Sequence, residues 1–148
     1  MLFLWDDSLT IDDGDIDRDH KFLFALTNRI LSAAEINVDK QVLAKLLNEY
    51  IDYTAIHFDH EERLMNKLSY PDKDSHILAH NSFFDRLCLL KTAFERNDVS
   101  IRNKINAFFA TYAFNHIATC DRALAEWCGQ HRSHDGALPC PPPDRAAG

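Results

Sequence analysis

Glycine is scarce, with 4 in a chain of 148 residues, so few positions ask for an unusual backbone. Strand-like alternating runs are also few, and both absences favour helices over a β-sandwich. Bases are outnumbered by acids, 16 to 23, for a net charge of −7. A basic footprint for phosphate is therefore missing, which argues against nucleic acid. No apolar run approaches the roughly 20 residues of a membrane span. The opening MLFLWDD is too short for a signal peptide and turns acidic too soon, which predicts a cytoplasmic protein. The cysteines Cys88, Cys120, Cys128 and Cys140 lack CxxC spacing, and in a reducing compartment they read as free thiols. What is present is ordinary: 46% apolar residues, in one domain's length, enough to bury a core without staples.

Residues 1–17 read as an irregular acidic arm with Trp5 as its large anchor. Apolar residues then recur at helical spacing in four segments, about 18–35, 40–67, 72–96 and 101–127. Asp39 is placed to cap the second helix, and Ser69-Tyr70-Pro71 breaks it. Long helices joined by short turns predict an all-α fold, an antiparallel up-down-up-down four-helix bundle. Residues 1–128 form the domain, and 129–148, rich in Pro, Gly, Ala and charge, read as a disordered tail. The helices can bury their apolar faces within one chain, which predicts a monomer. There is no internal repeat.

The stretch HFDHEERLM puts His57 and Glu61 four residues apart on the apolar face of the second helix. One HxxxE is usually a solvated pair. Here the pattern recurs on every helix: His20 on the first, His76 and His80 on the third, His116 followed by Asp121 on the fourth. Five buried imidazoles without a shared purpose would be hard to satisfy, and buried carboxylates need a partner or a metal. Imidazole plus carboxylate without thiolate suits iron and zinc, and manganese less well. Seven ligands exceed a tetrahedral zinc site and divide over two ions, with Glu61 and Asp121 as bridges and one open position. His116 and Asp121 are five apart, about 140° around an ideal helix, so Asp121 must reach sideways or the helix must loosen locally.

These residues resemble the hemerythrin family in its single-domain bacterial form. The similarity covers about residues 1–128 through W-D-D-S-L, I-D-R-D-H-K, Asn28, H-F-D-H-E-E, the Y-P break, H-I-L-A-H and N-H-I-A-T-C-D. The resemblance implies two iron ions (Fe2+/Fe3+) with an oxo or hydroxo bridge. His76, His80 and His116 would hold one; His20 and His57 would hold the other, which keeps the open position. It implies reversible O2 binding as a diferric hydroperoxide, for oxygen storage, delivery or sensing. The alternative is a di-iron enzyme that reduces peroxide or nitric oxide, or oxidises ferrous iron. Phe58, Tyr112, Ala113 and Ile117 would line the O2 pocket. The family's usual Trp is Tyr112 here and a larger apolar residue is Ala113; a hydroxyl and extra room in the pocket predict faster oxidation. Asp19 stands where the family has Gln, and reads as a solvated first-turn acid. Cys120 reads as a small buried filler, His60 as exposed, and His131 and His134 as tail residues.

Overall fold

The computed structural model describes residues 2–131; His134, Cys140 and the expected disorder beyond 131 lie outside them. Among the described residues the chain is all helical: a 3-10 turn at Asp7–Leu9, then α1 (Asp15–Glu35), α2 (Lys40–Lys67) and α3 (Lys73–Glu95). The fourth run, α4, is continuous but changes pitch. It is α over Ile101–Ala107, π over Phe108–Ala113, α over Phe114–His116, π over Ile117–Asp121 and α over Arg122–His131. Short connections at 36–39, 68–72 and 96–100 make successive helices antiparallel neighbours, giving the expected four-helix bundle. The helix continues past Gly129 to His131, three residues into the expected tail.

Helix ends follow from side-chain chemistry. The start of α1 comes earlier than the apolar spacing suggests because Asp12 caps it. Its carboxylate accepts from the backbone N–H groups of Gly14 at 2.9 Å and of Ile16 and Asp17 at 3.3 Å. Asp17 reaches back to the N–H groups of Ile11 at 2.8 Å and Asp13 at 2.6 Å. Asp39 caps α2 by accepting from the Gln41 N–H at 2.7 Å. With glycine scarce, α1, α2 and α3 end in left-handed residues of other kinds: Asn37 (φ 56°), Ser69 (φ 52°) and Asn97 (φ 57°). Each is followed by a closing bond to the last turn: Val38 N–H to Ala33 O (3.3 Å), Tyr70 to Met65 (2.9 Å), Asp98 to Ala93 (3.1 Å). These are Schellman ends.

The core is split in two. A large cluster includes Leu23, Phe24, Leu47, Tyr50, Phe58, Phe83, Leu87 and Phe109. A smaller one holds Ile11, Ile16, Leu64, Met65, Tyr70, Leu124 and Cys128. The histidines and carboxylates singled out above separate them in sequence: on α1, His20 lies between Ile16 and Leu23, and on α2, Glu61 lies between Phe58 and Leu64. The arm is held more firmly than Trp5 alone would achieve. Phe3 and Ile11 are buried whereas Trp5 is half-buried. The Asn28 amide clamps the Phe3 backbone from both sides, accepting from its N–H and donating to its carbonyl, each at 2.8 Å. Cys88 and Cys120 are free thiols, as expected. Cys128 is disulfide-bonded, against expectation.

Candidate metal centre

All seven residues meet between the two apolar clusters, buried at 8% exposure or less. Four helices contribute: His20 from α1, His57 and Glu61 from α2, His76 and His80 from α3, His116 and Asp121 from α4. Each carboxylate divides its oxygens. Glu61 Oε1 faces His57 Nε2 at 3.3 Å and His20 Nε2 at 3.5 Å, and Asp121 Oδ2 faces His20 Nε2 at 3.1 Å. On the other side Glu61 Oε2 faces His80 Nε2 at 2.9 Å and His76 Nε2 at 3.2 Å. Asp121 Oδ1 faces His76 Nε2 at 3.2 Å and His116 Nε2 at 3.1 Å. The five-residue interval from His116 to Asp121 is met by the π turn at Ile117–Asp121. A π turn brings residues five apart onto one face, so the helix loosens locally and Asp121 need not reach sideways.

The electrostatics call for a cation. Burial opposes charge on His20, yet the Asp121 and Glu61 carboxylates overcome it and push the pKa up to about 10. The same contest raises His76 to about 9 and His116 to about 11. Burial likewise opposes ionisation of Glu61 and Asp121, and the surrounding imidazoles hold both well below the usual carboxylate range. Hydrogen bonding leaves the cluster incomplete: Nε2 of His20, His76 and His116, Glu61 Oε1 and both Asp121 oxygens are buried without a hydrogen-bond partner. Ligand atoms fall into two groups, each with all members within 4.8 Å of one another. One is Glu61, His76, His80, His116 and Asp121; the other is His20, His57, Glu61 and Asp121. Converging imidazole nitrogens and carboxylate oxygens without hydrogen-bond partners fit metal ions, which would take the place of the histidine protons, and the donor set fits iron.

The hemerythrin HHE cation binding domain matches residues 13–128. The chain belongs to the hemerythrin family. A bacteriohemerythrin of Stenotrophomonas maltophilia is 28% identical over 130 residues, 88% of this chain and 84% of the relative. A hemerythrin-like protein of Naegleria gruberi is 32% identical over 119 residues, 80% of this chain and 87% of the relative. A bacteriohemerythrin of Methylococcus capsulatus is 27% identical over 109 residues, 74% of this chain and 82% of the relative. No solved structure matches. Membership makes the cluster a candidate non-haem iron centre.

A cavity of about 30 Å³ adjoins this hemerythrin centre. Among its walls are His20 and His57, with His116 and Asp121, and the side chains of Leu23, Phe24, Phe58, Ala113 and Ile117. Hydroxyl-bearing Thr27, Tyr50 and Thr54 also line it. The Thr54 hydroxyl donates to the Tyr50 carbonyl at 2.7 Å. Phe58 stacks on His80, centroids 3.8 Å apart. Of the four expected pocket residues, Phe58, Ala113 and Ile117 reach the cavity and Tyr112 does not. Tyr112 is 38% exposed, accepts from Arg86 Nη1 at 2.6 Å and lies under that guanidinium at 4.0 Å. It sits in the π segment Phe108–Ala113, where α-helical spacing misjudges the face. The expected hydroxyl is therefore not on the cavity wall, whereas the room left by Ala113 is.

Four residues around the ligands differ from their sequence expectation or carry no sequence signal. Asp19 is no solvated acid: it is 2% exposed, accepts from the Tyr53 hydroxyl at 3.0 Å, and pairs with His60 Nδ1 at 2.6 Å. His60 is thereby half-buried. Glu62, adjacent to Glu61, meets His80 Nδ1 at 3.0 Å. The spacing signal was available for His60, three residues from His57. Asp19 lies one residue off the stripe of α1, so only the packing of α1 on α2 reveals its surroundings. Cys120 is half-buried rather than a core filler, its thiol lowered by hydrogen bonding to His116.

Proposed function

We propose that this hemerythrin-family chain binds O2 reversibly at a pair of non-haem iron ions, for oxygen storage, delivery or sensing. The observation that carries the reading is the asymmetry of the two ligand groups. One has five donors residues, the other four, and they share Glu61 and Asp121. The cavity is lined by both histidines of the four-residue group but by only His116 of the other three. An open coordination position on that side would face the cavity. His20 and His57 would hold that ion, His76, His80 and His116 the other, and the two carboxylates would bridge. Iron held by these residues would offer a diatomic ligand reducing electrons and a vacant position.

The residues of the chain do the rest. A cavity of about 30 Å³ is diatomic in scale, since one water needs roughly 10–15 Å³. Phe58, Ala113 and Ile117 keep bulk water from the inner face. Beyond the candidate ligands, the polar groups on the cavity walls are the hydroxyls of Thr27, Tyr50 and Thr54, and burial raises the Tyr50 phenol further, making it a poor acid for O–O cleavage. That favours binding over catalysis. NO or peroxide would enter by the same position. On this reading residues 1–128 are the working unit, acting as a monomer in the cytoplasm. The test is to reduce iron-loaded protein anaerobically, admit O2 and follow the visible spectrum beside metal analysis. About two irons per chain and a charge-transfer band that fades on degassing would support the reading; two irons with irreversible oxidation and turnover of peroxide would replace it with an enzyme.

A further inference from the structure

Each ligand group has a carboxylate behind one of its histidines, and the two differ in setting. Behind His80 stands Glu62, whose side chain is 35% exposed. Behind His57 stands Asp19, buried on all sides. Its Oδ2 lies 2.6 Å from His60 Nδ1 and 3.4 Å from His57 Nδ1, an ion-pair separation at which that nitrogen makes no hydrogen bond before metal is bound, and its Oδ1 takes the Tyr53 hydroxyl at 3.0 Å. On the far side of the same imidazole, His57 Nε2 faces Glu61 Oε1 at 3.3 Å. Tyr53 and His60 flank His57 on α2, so one face of that helix fixes Asp19 of α1 from two directions. A carboxylate behind a ligating imidazole fixes which nitrogen carries the proton and makes the other a stronger donor. The effect is greater when the carboxylate is shielded from solvent.

We propose that Asp19 is a positioning residue that holds His57 with Nε2 toward the centre and strengthens the His20–His57 subsite, with His60 and Tyr53 locking it in place. Glu62 serves His80 in the same way but more weakly, because water screens it. The proposal rests on reading the cluster as a two-ion centre. Asp19→Asn keeps the shape and removes the charge. In an anaerobic ferrous titration of the full chain, it should weaken one of two ions by about 10–100-fold and leave the other near its wild-type affinity. Glu62→Gln should give a smaller loss. A direct readout uses unaltered protein loaded with Zn2+: nitrogen-detected NMR should find the His57 proton on Nδ1, protected from exchange. Two ions bound by Asp19→Asn with unchanged affinities, or a His57 proton absent from Nδ1, would overturn the proposal while leaving the metal centre standing. Wild-type protein that takes up no iron would overturn both. The NMR measurement decides the matter even if Asp19→Asn does not fold.

Discussion

Glu61 faces four imidazoles from a fully buried position, and no other side chain among the described residues is so committed. Breaking a buried charge network at one member leaves the remaining charges uncompensated, at a cost of about 3–5 kcal/mol. Glu61→Gln should therefore lower the melting temperature of the metal-free chain and abolish stoichiometric iron uptake, read by calorimetry with chelator and by metal analysis. An unchanged melting temperature would contradict the ion-pair account. Titration follows the same geometry. His20, His76 and His116 have folded pKa values of about 10, 9 and 11, above the ordinary histidine value. Their stabilisation of the metal-free chain is complete below about pH 6.5 and is lost as pH rises through 9 to 11. Glu61 and Asp121, held low, contribute in the opposite sense: their share is present above the ordinary carboxylate range and is lost in strong acid. Metal must displace those histidine protons, so ferrous uptake at pH 7 should release on the order of three protons per chain in an unbuffered titration. Release of none would show that the imidazoles are neutral without metal.

At the scale of elements, helix ends and helix pitch decide what the side chains meet. Ser69 terminates α2 with φ 52°, a conformation that asparagine tolerates better at Asn37 and Asn97. Ser69→Gly should relieve that strain, a gain of about 0.5–1 kcal/mol after the extra freedom of glycine in the unfolded chain is counted. For a chain of this size the melting temperature should rise by roughly 1–4 °C. Asn97→Gly should gain less, and the reverse order would refute the assignment of strain. The bundle, its four segments and the cap at Asp39 were legible in the sequence, because period and capping chemistry are local. The early start of α1 was not, since it depends on Asp12 and Asp17 exchanging backbone bonds across the turn. Nor was the pitch of α4: an α-helical wheel puts Tyr112 on one face with Phe108 and His116, and the π segment turns it out to Arg86.

For the whole molecule, the apolar cavity beside the four-residue ligand group sets what can reach it. Ala113→Leu would fill much of a space of about 30 Å³. It should slow O2 association with unchanged iron content, whereas Tyr112→Phe, altering an exposed ring, should leave the kinetics alone. Flash or stopped-flow mixing separates the two; equal effects would mean that the route to the iron runs along the α3–α4 surface. The sequence by itself determined that five histidines, a glutamate and an aspartate point inward at one level, because helical periodicity ties spacing to face. The tertiary structure alone decided which oxygen of Glu61 and Asp121 faces which imidazole. It also decided that Asp19 stands behind His57, and that the cavity lies on the side with fewer ligands. Those relations join residues on different helices, and no spacing along the chain encodes the distance between two helices.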